Sequence, residues 1–207
     1  MKGTFLRGDD TLNLEETVTK CQLGDSEAFR ELFNHMEQKA FGTAYLIAGK
    51  RGLAEDIVQE AFVCCIEQIK TLRSPEAFNV WFYRMITRIG WKMVKNHEKL
   101  VPDDILSKES ITQYSTEEEV QVEMMNQSVI NAVDGLSNNL KTVVILHYFN
   151  GMSIEEISKV TGSLRATVKT RLYYARNVLR KKLENALDES RESFMEGRNI
   201  KKASYYR

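Results

Sequence analysis

Across 207 residues the chain carries only two prolines, Pro75 and Pro102, and between its turn signals the apolar residues recur at helical period. Proline breaks helix interiors, so a chain this poor in it, with no competing strand alternation, is expected to fold as an all-α protein. The apolar density is uneven. From Asp25 to about Asn96 the sequence is dense in Leu, Ile, Phe, Met and Trp, and a second apolar unit runs from about Met124 to Leu187. Between them the composition shifts to Ser, Thr and acids, with Asp103, Asp104, Glu109, Glu117, Glu118, Glu119 and Glu123 dominating. The expected organisation is an N-terminal extension over 1–24, a small helical domain over 25–96 and a flexible acidic linker over 97–123. A second small helical domain over 124–187 and a polar, fraying tail over 188–207 follow.

The composition, 43% hydrophobic and 28% charged, is that of a globular chain. No window reaches the eighteen or so consecutive apolar residues that span a bilayer. The start MKGTFLRGDDTLN lacks the basic-then-apolar order of a secretory signal, so a cytoplasmic protein is expected. Cys21 and the adjacent Cys64 and Cys65 have no CxxC spacing and no neighbouring histidine, which argues against a disulfide framework or a zinc site. Cys64 and Cys65 fall in an apolar helical pattern and read as small buried thiols. His35, His97 and His147 are scattered singles without ligand spacing. There is no GxGxxG, GxxxxGK[ST] or GxSxG. No catalytic residue, metal site, cofactor or small-molecule substrate is expected.

The second domain carries a sharper signal. Ser153 and Glu156 have the spacing of a capping box and mark a helix start, after which Ile154, Ile157 and Val160 share one face. Gly162 follows where a left-handed residue lets the chain turn into the next helix, which predicts a helix-turn-helix. In that next helix Val168, Leu172, Ala175, Leu179 and Leu183 form a buried stripe. Lys169, Tyr173, Arg176 and Arg180 form a neighbouring exposed one. The net charge of the chain is zero, yet residues 161–183 hold Arg165, Lys169, Arg171, Arg176, Arg180, Lys181 and Lys182 without one acid. A cationic ridge one helix wide fits the DNA major groove, its first turns at base edges and its later arginines on phosphates. A solvated basic face is the plainer reading, against which the missing acids and the capped preceding helix weigh.

In the first domain, SPEAFNVWFYRMITRIGWKMVKN separates into two helical phases. Phe78, Phe82, Met85, Ile86, Ile89 and Met93 fall on a core face. Trp81, Arg84, Arg88, Trp91, Lys92 and Lys95 fall on another, where bases can stack on the rings while cations follow the phosphates of a single strand. Burial of both tryptophans at the core edge is the competing reading of the same pattern. Upstream, Asp56, Gln59 and Glu60 share a polar helical face, with Ile57, Ala61, Cys64 or Cys65, and Ile69 inward; such a face serves solubility or protein docking.

The stretch "VDGLSNNLKTVVILHYFNGMSIEEISKVTGSLRATVKTRLYYARNVLRKKL" resembles region 4 of extracytoplasmic-function (ECF) sigma factors, in the sigma-70 family of RNA polymerase sigma factors. The stretch from Gly24 to Asn96, with DIVQEAF and WFYR, resembles region 2 of the same family. The resemblance implies a promoter-specificity subunit without chemistry of its own. Its partners would be core RNA polymerase, through the clamp helices of the largest subunit and the flap, together with promoter DNA, both duplex and melted. An anti-sigma factor, often membrane-bound in the family, would hold it inactive. By the same resemblance Asp56, Gln59 and Glu60 dock on the clamp helices. Thr71, Leu72, Arg73 and Ser74 lie in the loop that captures a flipped minus-ten base. Trp81, Arg84, Arg88, Trp91, Lys92 and Lys95 meet the melted strand. Lys169, Thr170, Tyr173 and Tyr174 read the minus-thirty-five element from a helix starting at about Arg165, with Arg176 and Arg180 on phosphates. Ser137-Asn138 stands where the family usually has Leu-Pro, Tyr174 where arginine is common, and Arg88 and Lys92 where many members have Asn and Asp. A stand-alone helix-turn-helix regulator is the alternative, and it would bind operators as a dimer without polymerase.

Overall fold

A computed structural model describes residues 12–100 and 128–204, with side-chain detail for 12–99 and 128–185. The described elements are α1 (Leu14–Gln22), α2 (Ser26–Ala48), α3 (Arg51–Gln68), 3-10 turns at Ile69–Thr71 and Pro75–Ala77, and α4 (Phe78–Leu100). After them come α5 (residues 128–134), α6 (Asn138–Val144), a π-helical turn (Ile145–Phe149), α7 (Ile154–Thr161) and α8 (Arg165–Ser204). Among the described residues there is no strand, so the fold is all-α. Most of the expected linker lies outside the described residues, and its first residues, 97–100, complete α4.

Local chemistry sets the helix starts. The Asn13 side chain accepts from the Glu16 amide at 3.2 Å and caps α1. Asp25 caps α2, its Oδ1 accepting from the amides of Glu27 and Ala28 at 2.9 and 3.2 Å. The first unit then closes around aromatic contacts, with Phe62 and Phe82 rings 5.1 Å apart and Phe78 stacked on Phe82 at 5.5 Å. Ile47, Ile57 and Ile86 from α2, α3 and α4 are buried beside them.

The packed unit begins upstream of the expected boundary at residue 25. Leu14, Val18 and Cys21 repeat at four and three along α1, and Val18 and Cys21 are fully buried against the unit. Gln22 Nε2 donates to the carbonyls of Ile69 and Leu72, at 3.1 and 2.8 Å, and so ties α1 to the loop before α4. At the other end α8 runs on to Ser204, through much of the segment expected to fray. No proline interrupts residues 165–204, and Glu, Lys and Arg there are good helix formers.

The second unit has the expected helix-turn-helix. Ser153 Oγ accepts from the Glu156 amide at 3.2 Å while Glu156 accepts from the Ser153 amide at 2.8 Å, which completes the capping box. Gly162 has φ +65°, a left-handed backbone that a Cβ would strain, and α8 starts three residues later. Val168, Leu172 and Ala175 are buried and Leu179 and Leu183 half-buried, as their spacing predicts.

The two units meet in one continuous apolar cluster, in which Val143, Ile145, Leu146, Met152 and Ile157 join the core of the first unit. This contact explains why α4 buries more than one face. Phe78, Phe82 and Ile86 are buried as expected, and Met85, Ile89 and Met93 are half-buried. Tyr83 and Thr87, on a neighbouring phase, are buried as well. The close approach needs Gly42 on α2, because a Cβ there would run into the Phe149 ring of the π-helical turn.

Candidate nucleic-acid interface

The recognition surface starts from the turn at Gly162. The side chain of Ser163 accepts from Arg171 at 2.9 Å, which pins the first turns of α8 to the preceding turn. From there Arg165, Lys169, Thr170, Tyr173, Tyr174, Arg176 and Arg180 are all exposed. Tyr173 and Tyr174 expose 57% and 58% of their surface while their rings pack edge to face at 5.7 Å, so two aromatic faces are held out together. Arg165 pairs with Glu155 at 3.5 Å, which places one acid beside the start of the ridge. Arg171 stands apart from the other bases: it points back towards α7. Leu164, 78% exposed at the tip of the turn, is an apolar residue beside this surface that the charge pattern did not bring forward.

The face of α4 is arranged differently. Arg84, Arg88, Lys92 and Lys95 are exposed, whereas Trp81 and Trp91 are half-buried. Trp81 leans on the Phe78 ring at 6.0 Å. Trp91 is held by the second unit, its Nε1 donating to Thr142 Oγ1 at 2.9 Å, with the Lys141 ammonium 5.8 Å from its ring centre. Arg84 also reaches across, its guanidinium donating to the Lys159 carbonyl. Two residues expected to touch the melted strand are therefore occupied by the helix-turn-helix unit.

Two further polar contacts seal the same junction. Lys141, with only 6% of its side chain exposed, donates to Asp134 Oδ1 at 2.8 Å and to the Ile47 carbonyl of α2 at 3.2 Å. Asn150 Nδ2 donates to Thr43 Oγ1 at 2.8 Å. Nearby, burial pushes the Tyr83 hydroxyl up to about 12, and Asn150 is the polar group that offsets this. Among the described residues neither Tyr83 Oη nor Asn150 Oδ1 makes a hydrogen bond of regular geometry, although the Asn150 amide is close enough to act on the hydroxyl. None of Lys141, Thr142 and Asn150 was singled out by sequence, because cross-unit contacts leave no local period.

In the loop before α4, Thr71 and Arg73 are exposed and Ser74 is half-buried. Leu72 departs from the expectation: its side chain is buried in the core and its carbonyl accepts from Gln22, so it anchors the loop and presents no side chain to a base.

On α3, Asp56, Gln59 and Glu60 are exposed, while Ala54, Ile57, Val58 and Ala61 pack inward. Val63 and Ile66 continue the stripe of Asp56 and Gln59 and are also exposed, which makes the face part acidic and part apolar. Their spacing was a readable signal. Cys65 is buried and Cys64 half-buried, and burial pushes the Cys21 and Cys65 thiols up to about 11 and about 12. Among the described residues no group of three His, Cys, Asp or Glu could hold a metal, and no helix is long and apolar enough to cross a membrane.

Comparison with known proteins matches a family model to each of the two units. Residues 32–97 match the model for sigma-70 region 2, and residues 126–179 the model for sigma-70 region 4. The RNA polymerase sigma factor SigV of Bacillus subtilis is 32% identical over 145 residues, covering 70% of this chain and 84% of that protein. The ECF RNA polymerase sigma factor SigW of the same organism is 25% identical over 182 residues, covering 83% of this chain and 97% of that one. Among solved structures, CnrH in complex with the cytosolic domain of CnrY is similar at TM-score 0.63 and 19% identity, over 83% of this chain and 97% of that one. The sigma factor RpoE of Bartonella quintana, in complex with the anti-sigma factor NepR, gives TM-score 0.62 at 20% identity, over 75% and 96% of the two chains. At those identities the two structures bear on the fold alone.

Proposed function

The chain belongs to the ECF group of the sigma-70 family of RNA polymerase sigma factors, and on that premise we propose how its surfaces share the work of promoter recognition. As a member it binds core RNA polymerase and directs promoter-specific initiation of transcription, a role with no catalytic step of its own. The observation that carries the division is the exposed ridge of Lys169, Thr170, Tyr173 and Tyr174 at the start of α8, next to a turn that fixes its angle.

In this reading the first turns of α8 enter the major groove of the minus-thirty-five element. Lys169 and Thr170 reach base edges, the tyrosines supply apolar contact, and Arg176 and Arg180 set the register on phosphates. The loop with Thr71, Arg73 and Ser74 receives an unstacked minus-ten base. Trp81, Arg84, Arg88, Trp91, Lys92 and Lys95 follow the opened strand, offsetting an unstacking cost of a few kcal/mol, in order of magnitude. Asp56, Gln59 and Glu60, with Val63 and Ile66 beside them, dock on the clamp helices of the polymerase. The apolar pair supplies burial there and the acids supply orientation.

Because Trp91 and Arg84 are engaged by the second unit, binding to polymerase must separate the two units before the minus-ten strand can be held. An anti-sigma factor that favours the packed form would act on this equilibrium, and the chain works in the cytoplasm, where polymerase is. The test is single-round transcription with bacterial core RNA polymerase on a fragmented genomic library, with and without the chain. New start sites that vanish in an Asp56→Arg, Gln59→Ala double variant support the reading. Footprinting of DNA by the chain alone, with no transcript depending on it, would favour the stand-alone regulator.

A further inference from the structure

Where α4, α6, α7 and the start of α8 come together, they leave a cleft of about 450 Å³, within the size range of small-molecule sites. Its described walls bring Thr87 and Arg88 from the first unit against Asn138, Asn139, Ser163 and Arg171 from the second, and they include no acidic residue. The Arg171 guanidinium spends one nitrogen on Ser163 Oγ at 2.9 Å. Arg88 and Arg171 have no carboxylate partner among the described residues, whereas Lys141 at the same junction has Asp134 at 2.8 Å. Closing the two units thus gathers two guanidinium groups into one cleft without a counter-charge. Two guanidinium groups lining one cleft without an acid favour an anion there.

We propose that this cleft is a binding site for a small phosphate-bearing anion, which only the closed arrangement assembles and which therefore holds the chain closed. Arg88 on α4 and Arg171 on α8 supply charge and forked donors, a chemistry that suits phosphate oxygens. The Asn138 and Asn139 amides and the Ser163 hydroxyl add neutral donors, while the Thr87 hydroxyl is spent on the Tyr83 carbonyl of its own helix. The ligand has no reaction to undergo. Its effect is linkage: it binds one arrangement of two, so it stabilises that arrangement in proportion to its occupancy. Since Arg88 also belongs to the face proposed for the melted strand, anion and promoter compete for it.

The experiment is calorimetric titration of the full-length chain with inorganic pyrophosphate at constant ionic strength, beside a short single-stranded DNA oligomer as a second source of phosphate. Saturable one-to-one binding of pyrophosphate is expected, weakened about ten-fold or more in both Arg171→Ala and Asn139→Asp, and accompanied by a more compact scattering profile. Asn139 is exposed and lies outside the surfaces assigned to promoter and polymerase, so the acid can be introduced there without disturbing the core. No saturable pyrophosphate binding, binding unaltered in both variants, or binding of the oligomer alone would overturn the proposal. Transcription without pyrophosphate is scored separately. A chain that transcribes but binds no pyrophosphate overturns the cleft and leaves the sigma role standing, while one that binds but does not transcribe does the reverse.

Discussion

The basic ridge of α8 and the cationic face of α4 have similar chemistry, lysines and arginines with aromatic rings between them, yet the chain treats them in opposite ways. The ridge carries Lys169, Tyr173 and Tyr174 in the open, whereas on α4 Trp91 and Arg84 are hydrogen-bonded to the other unit. On the proposed roles, the surface for the upstream element is open in this arrangement and the surface for the opened strand is partly engaged. A free chain built this way should bind melted DNA more weakly than duplex. Its zero net charge works in the same direction at long range.

The sharpest way to break this contrast is at Lys141. Replacing it with Ala removes a charge-assisted bond to the Ile47 carbonyl and the ion pair with Asp134, at a cost to the closed packing of about 1.5 to 3 kcal/mol. The free variant should then bind a single-stranded minus-ten oligomer more tightly, by fluorescence anisotropy, with upstream duplex affinity unchanged. Equal affinities for the oligomer in variant and wild type would mean that the α4 face was never masked. On the other surface, Lys169→Ala should cost about 1 to 3 kcal/mol at one upstream base position in the polymerase complex, read from binding to a set of single-substituted promoters. A uniform loss across that set would move Lys169 from base reading to phosphate contact.

Smaller effects separate the two faces further. Thr142→Val removes the acceptor for Trp91 Nε1 and should loosen the junction by about 1 kcal/mol, visible as faster amide exchange along α4 and α6 but not at the turn before α8. Arg180→Ala should weaken duplex binding evenly across sequences and lower the salt slope by about one, measured by titration at several salt concentrations. The least perturbing check is thiol labelling of the native chain at mildly alkaline pH. Cys64, half-buried and itself raised by burial and the nearby Glu60, should still react ahead of Cys21 and Cys65, whose deeper burial keeps their thiols protonated well above the usual range. Rapid labelling of Cys65 would show that the first unit opens on its own.

Much of this was legible because it is written in local periods. The capping box at Ser153, the turn at Gly162 and the stripe from Val168 to Ala175 all follow from residues within one or two helical turns of each other. The pairing of Trp81 and Trp91 with cations on α4 was visible too, but not that Trp91 is held by Thr142, a residue 51 positions away. Leu72 is a related case: its place in a loop gave no sign that its side chain would be buried in the core. Burial of Lys141 runs against the usual habit of lysine, and the neighbouring Asp134, the Ile47 carbonyl and the Trp91 ring make it tolerable. The π-helical turn at Ile145–Phe149 had no signature of its own in the sequence, and it brings the Phe149 ring against Gly42 of α2.

The seam between the units holds a continuous apolar cluster together with the bonds of Lys141, Trp91 and Asn150. Such a seam must lose its bonds and bare its apolar surface before water can replace them, which raises the barrier to separation. Release of the α4 face should therefore be a discrete opening event and not a continuous breathing of the chain. A partner that lowers this barrier would then set the pace at which the chain becomes competent.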